Sequence, residues 1–191
     1  ILNDSVYINM FNVHLPAYPY QPYDIRDRLI TTQSQAVYQA EQTRGIDVIN
    51  LTNSILEVKN NNNMPIILAG DFNEPSHLDW IAGAENPVNF QIDSLDFVVD
   101  WPTSNQISQL KLHDTYRELY PNPIIYPGYT WTPHHSLGEV HDRIDFIYFN
   151  SHLLIDSIFI VGPDNMSDII IDNYESDHRA ILAVFNINYW L

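Results

Sequence analysis

The chain has 191 residues, of which 45% are hydrophobic and 17% charged, a composition that packs a globular core and is unlike that of disordered chains. Eight Lys and Arg against 24 Asp and Glu leave a net charge of −16, which excludes a basic surface that grips nucleic acid by phosphate neutralisation alone, although a bound divalent cation can reverse the sign locally. The absence of cysteine excludes a disulfide scaffold, a thiolate zinc site and a cysteine nucleophile, and leaves the compartment open.

In chain order, Val6 to Leu15 (VYINMFNVHL) reads as a buried strand that ends at Pro16 and sets His14 at its C-terminal end. The following LPAYPYQPY, with three prolines and three tyrosines, reads as a loop, because proline is not tolerated in a central strand or a helix interior. From Thr32 to about Asn60 the pattern is helical, with Gly45 a candidate break and Ile46, Ile49, Ile55 and Leu56 expected on one apolar face. Pro65 to Ala69 is a wholly apolar run of strand length, as expected for a strand buried on both faces. Pro75 to Gln109 shows little periodicity and reads as connections with one or two short helices. Asp114 caps a short helix stopped by Pro121, and Tyr129 to Thr132 resumes as a strand. Three further strands are expected at Arg143 to Phe149, Leu153 to Val161 and Ala180 to Ile187. The order predicts a mixed α/β domain with one or two sheets covered by helices, read as a single domain over residues 1–191. No run approaches the ~18 apolar residues that span a bilayer. A soluble chain is therefore expected, with secretion left open.

Four segments place acid, base or amide side chains where an apolar strand ends: Asn12-Val13-His14, Gly70-Asp71-Phe72-Asn73, Arg143-Ile144-Asp145 and Ser176-Asp177-His178. Strand ends converge in a layered fold, so these groups are candidates for one polar pocket. Each also has a plainer reading. His14 alone suits a hydrogen-bonded structural histidine, Asp71 a turn, Asp145 an ion pair with Arg143, and Ser-Asp-His a cap.

Taken together, NVHL at 12–15, GDFNEPSHLDW at 70–80, GYTW at 128–131, RIDFIYF at 143–149 and SDHRAILAVF at 176–185 resemble the endonuclease/exonuclease/phosphatase superfamily, metal-dependent phosphoesterases with a deoxyribonuclease-like fold. The resemblance runs from about Val6 to Phe185. It implies an αββα sandwich of two sheets flanked by helices, and hydrolysis of a phosphoester that belongs to a nucleic acid, a phospholipid headgroup or a small phosphate ester. It further implies that Asp71 orients and deprotonates the attacking water while Asn73 holds the nucleophile or a phosphate oxygen. His178 would contact the scissile phosphate, with Asp145 accepting its other ring proton, and His14 would be a second phosphate-facing histidine. Asp177, with Asp71 and Glu74 as further candidates, would hold Mg²⁺, or alternatively Mn²⁺ or Ca²⁺. Asn12 would be a hydrogen-bonding support or simply satisfy backbone.

Members of that superfamily usually carry two strands upstream of the His14 strand, the second bearing a metal-ligating Glu, and neither is found here. The chain therefore resembles the C-terminal two thirds of the fold, and a processed or truncated N-terminus, with the missing segment as a partner, is the expectation. A non-catalytic fragment or pseudoenzyme that acts as a binding module is the alternative function. Other readings are weaker. His134, His135, His141 and Asp142 could form a separate zinc or transition-metal site, but the segment reads more plainly as a loop at the pocket rim. Asp142 rivals Asp145 as partner of His178. Tyr18, Tyr20 and Tyr23 suit packing on their own domain better than stacking on bases or lipid. Sequons at Asn3, Asn50 and Asn165 occur at a frequency close to chance. A serine hydrolase lacks its G-x-S-x-G elbow.

Overall fold

The computed structural model describes residues 7–84, 97–134, 138–150 and 152–187. The sequon at Asn3, residue His135 and part of the weakly periodic middle stretch lie outside them. The aromatic and β-branched run near the N-terminus forms β1 (Asn9–His14), in which Phe11 and Val13 turn to the core while Met10, Asn12 and His14 turn away. A first departure from expectation is α1 (Gln21–Arg26), which starts inside the tyrosine-proline stretch. Pro22 sits in its first turn, where a missing N–H leaves no bond unmade.

Helix α2 (Gln33–Asn61) opens with a reciprocal cap: Thr32 Oγ1 accepts the Gln35 N–H and Gln35 Oε1 accepts the Thr32 N–H. It runs unbroken through Gly45, so the expected break is absent. Its buried stripe is Ala36, Ala40, Arg44, Val48 and Ile55. Of the residues expected on the core face, Ile46, Ile49 and Leu56 are exposed and only Ile55 is buried. The four-residue repeat from Ala36 to Val48 sets the buried face, and Ile46 and Ile49 lie about 100° or more round the helix from it.

Strand β2 (Ile66–Asp71) extends the apolar run through Gly70 and Asp71. After it come α3 (Pro102–Gln109), β3 (His113–Asp114) and α4 (Thr115–Leu119), the last capped by Asp114, whose carboxylate accepts the N–H groups of Tyr116 and Arg117. Strands β4 (Asp145–Phe149), β5 (Leu153–Gly162), β6 (Ile169–Ile170) and β7 (Ala180–Ile187) complete the fold. The expected strand at Tyr129 to Thr132 does not form. Trp131 instead makes isolated bridges to Asp142 and His178.

The strands form two sheets, ordered β1-β2-β4-β3 and β6-β5-β7. Strands β1 and β2 are parallel, joined across α2, and β4 lies antiparallel to β2. Val48 and Ile55 of α2 and Ile107 of α3 bury one face of the first sheet with Ile66, Leu68, Phe146 and Tyr148. Phe72 meets Phe146 and Tyr148 edge-on at 5.3 and 5.5 Å. From the opposite face Phe149 reaches Phe185 of β7 at 5.3 Å, so the second sheet approaches from that side. The architecture is an α/β sandwich. No helix among the described residues is long and apolar enough to cross a membrane.

Gly70 permits the close pairing of β1 and β2. Its φ is +144°, and a Cβ there would stand 1.9 Å from the carbonyl oxygen of Val13. Gly70→Ala is therefore expected to destabilise the fold by about 2 kcal/mol or more, read as a lower urea midpoint at unchanged slope.

Candidate active site

Register and alternation together build the site. His14 pairs with Asp71 across β1 and β2, and Asp71 pairs with Asp145 across β2 and β4. The three residues thus form one rung over three neighbouring strands. Val13, Phe72 and Phe146, one position away in each case, belong to the core beneath α2. Successive side chains alternate faces, so His14, Asp71 and Asp145 all point to the other face, toward the second sheet. His178 arrives there from the segment just before β7, tied to Trp131 by a backbone bridge and ring contact at 4.9 Å.

The four side chains meet. His178 Nδ1 lies 2.8 Å from Asp145 Oδ2, and His178 Nε2 and His14 Nε2 lie 3.9 and 3.6 Å from Asp71 Oδ2. Asp71 Oδ1 accepts the Asn73 N–H at 2.8 Å, which leaves Oδ2 as the oxygen between the imidazoles. They open on a cavity of about 480 Å³ whose wall also includes Asn73, Asp177, Tyr18 and Trp131.

Burial raises the Asp71 pKa above the usual carboxylate range, and the neighbouring charge of Asp145 adds to it. At His178 burial works the other way and lowers the imidazole pKa. The hydrogen bond to Asp145 and the charges of Asp145, Asp71 and Asp177 outweigh it, and the net shift is upward.

The remaining candidates divide. Asn73 is buried at the cavity wall and donates Nδ2–H to the Leu15 carbonyl at 2.9 Å, locking the turn after β2 to the end of β1. Asp177 is on the wall, and its carbonyl accepts the Thr132 hydroxyl. Asn12 is exposed, outside the cavity wall, and donates to the Ala69 carbonyl at 3.4 Å. Glu74 as a metal ligand is corrected by its surroundings: its side chain is fully buried, with Oε2 2.9 Å from Arg44 Nε and Oε1 accepting the Thr103 N–H at 2.7 Å. Both oxygens are committed to partners away from the cavity.

The two aspartates near Arg143 also sort themselves. Asp142 is buried and accepts from Tyr20 Oη at 2.7 Å and Trp80 Nε1 at 2.9 Å. Burial, only partly opposed by those two bonds, pushes its pKa to about 7. It is not the partner of His178; Asp145 is. Arg143 instead pairs with Asp79 and Asp114. His141 bonds through Nδ1 to the Thr132 carbonyl at 2.9 Å, and Asp71, Asp145 and His178 are the only potential metal-holding group among the described residues. Of the suggested separate site, His134, His141 and Asp142 form no such group, and His135 lies outside the described residues.

Sequence reasoning gave no role to Gln21 and Arg44, which are buried together. Arg44 donates to Glu74, to the Pro16 carbonyl and to Gln21, so it ties the loop after β1 to the turn after β2. A charged residue on the buried stripe of α2 was the available signal. Tyr20 is buried as expected of a packed loop, while Tyr18 is 72% exposed.

The sequence model of the Endonuclease/Exonuclease/phosphatase family matches residues 47–178, a span that contains Asp71, Asp145 and His178. The chain belongs to this family. An uncharacterized protein of Caenorhabditis elegans is 28% identical over 198 residues, covering 96% of this chain and 61% of its own length. This chain therefore spans about three fifths of that relative. Among solved structures, a 3′ phosphatase from Neisseria bound to product DNA hairpin is similar with a TM-score of 0.50 and 18% identity, over 76% of this chain and 52% of that one. A mannosyl-6-phosphatase of Bacteroides thetaiotaomicron aligns over 93% of this chain and 51% of its own, with a TM-score of 0.42 and 15% identity. The likeness to the Neisseria structure extends the family assignment to the fold.

Two outcomes test this geometry. Because the fold favours the charged form of His178, its contribution to stability is complete below the unfolded-state value of about 6.5 and is lost as pH rises through the higher folded value. NMR titration of the His178 ring should give a midpoint above that of a free imidazole, and Asp145→Asn should lower it. Glu74→Ala should cost about 3–5 kcal/mol, because it leaves the Arg44 guanidinium buried without its counter-charge, measured by chemical denaturation.

Proposed function

We propose that this member of the Endonuclease/Exonuclease/phosphatase family hydrolyses a phosphoester in the cavity above Asp71, Asp145, His14 and His178, with Mg²⁺ as its cofactor. The observation that carries the reading is the convergence of two carboxylates and two imidazoles from three strands and a remote segment, with Nε2 of each ring within 4 Å of one Asp71 oxygen.

The donor set fits a hard dication. Asp71, Asp145 and His178 each offer a ligand atom within 4.8 Å of the others, and a cation would favour the charged form of Asp71, which burial first and the charge of Asp145 second disfavour. Asp71 and Asp145 would hold it, with Asp177 a further carboxylate on the wall. When bound, it would supply electrostatic stabilisation to phosphoryl oxygens.

The chain's own groups account for the proton movements. Asp71 Oδ2, the oxygen facing both imidazoles, takes a proton from the attacking water. His178 is held in one orientation by Asp145, so Nε2–H faces the cavity and donates to a phosphoryl or leaving oxygen. Its own raised pKa keeps more of the ring protonated near neutrality. His14, three-quarters exposed, offers a second donor from the rim. Asn73 keeps the Asp71 carboxylate aimed, since its N–H holds Oδ1 and its amide holds the end of β1.

The decisive measurement is release of nitrophenol from p-nitrophenyl phosphate and its bis-ester in Mg²⁺. Turnover should cease with chelator, and Asp71→Asn and His178→Ala should each lower kcat about 10²–10⁴-fold. An inert wild-type protein, or an Asp71→Asn variant as fast as wild type, overturns the assignment in favour of a non-catalytic binding module.

A further inference from the structure

The wall of the same cavity bears on which phosphoesters it accepts, an inference that rests on the phosphoesterase reading. All eight Lys and Arg of the chain fall within described segments, and none lines the cavity. Four are internal struts: Arg44 on Glu74, Arg117 and Arg143 on Asp79, and Arg179 on Asp164. Arg26 pairs with Asp27, Lys59 donates to the Leu110 carbonyl, Arg28 follows α1 in a turn, and Lys111 borders a separate hollow beside His113. Among the described residues the wall of the cavity thus holds three carboxylates, Asp71, Asp145 and Asp177, against the imidazoles of His14 and His178. Such a wall can neutralise one phosphoryl group with a cation's help. Among the described residues it offers no Arg or Lys to a second or third phosphate, and sites for polyphosphates and nucleic-acid strands rely on Arg and Lys at those positions. The net charge of −16 adds a repulsive field.

Aromatic carbon takes the place of cations. Tyr20 donates its hydroxyl to Asp142, Tyr23 donates its hydroxyl to Glu139, and Trp131 donates Nε1–H to Tyr23 Oη at 3.2 Å. The polar edges of these three rings are spent inside the protein. Tyr18, the most exposed aromatic of the wall, and Trp131, tilted against the His178 ring at 4.9 Å, remain as ring surfaces next to the phosphoryl-handling groups.

We propose that the substrate carries a single phosphoryl group on an uncharged ring, which packs against Tyr18 and Trp131, and that these two residues determine specificity. A ring on an aromatic face contributes enough to change affinity about tenfold. A polyanionic strand gains no comparable contact beyond its first phosphate.

The test compares phenyl phosphate, a hexose phosphate and a ten-nucleotide DNA ending in a 3′ phosphate, each in Mg²⁺ over a range of salt. At low ionic strength kcat/KM for at least one ring substrate should exceed that for the oligonucleotide tenfold or more, and the gap should narrow as salt screens the repulsion. Tyr18→Ala should weaken the preferred ring substrate about tenfold through KM rather than kcat. Separately from turnover, phenyl phosphate and inorganic phosphate are titrated with Ca²⁺ present, following tryptophan fluorescence in wild type and isothermal heat in wild type and Trp131→Ala. The ring should confer about tenfold tighter binding that Trp131→Ala removes. An oligonucleotide hydrolysed as fast as the ring esters at low salt, or a Tyr18→Ala variant with unchanged KM, overturns the proposal. If no ester turns over, the phosphoesterase reading fails, and the titration alone decides this one: equal affinity for phenyl and inorganic phosphate sinks it.

Discussion

The site depends on the register of three strands. His14, Asp71 and Asp145 share one rung, and their neighbours Val13, Phe72 and Phe146 share the hydrophobic layer under α2. Strand periodicity of two binds these facts together. A slip of one residue in β2 would bury Asp71 among aliphatic side chains and expose Phe72, so the packing of the core and the aim of the polar groups are selected by the same register. Gly70 is part of this constraint, because the Val13 carbonyl occupies the space any side chain would need.

Around that rung the charge is divided by function. Guanidinium groups that a phosphate site could have used are placed in the interior, where Arg44, Arg117, Arg143 and Arg179 each meet a carboxylate. Buried pairs of this kind bring little net stability, since desolvation opposes the attraction, but removing one member is costly. They therefore act as alignment devices. Arg44 joins helix, loop and turn at Glu74, Pro16 and Gln21, and Arg143 and Arg117 converge on Asp79. Among the described residues the cavity wall is acidic and aromatic, with two imidazoles as its only ionisable donors of positive charge.

Asp142 and Asp145 illustrate how position within a segment separates structure from chemistry. They stand three residues apart. Asp142 is sealed by Tyr20 and Trp80 and tends toward the neutral form, whereas Asp145 faces the cavity and meets His178. Tyr23 and Trp131, both on the wall, are bonded to each other, and Tyr23 is anchored in turn by Glu139, which does not line the cavity.

The sequence by itself determined the strand at His14, the long helix from Thr32, the strand that precedes Gly70 and Asp71, the cap at Asp114, and the pairing of polar residues with strand ends, because hydrophobic runs and capping are local properties of the chain. It also carried the motifs around Asp71, Asp145 and His178. It misassigned what depends on partners distant in the chain. The apolar face of α2 was misread because a buried Arg44 belongs to the stripe only once Glu74 and Gln21 stand opposite it. Glu74 looked available for metal for the same reason, and Tyr129 to Thr132 looked like a strand although its ladder reduces to single bridges. Whether a carboxylate is a strut, a base or a neutral acid is set by desolvation and by neighbours across sheets, and only the tertiary structure supplies those.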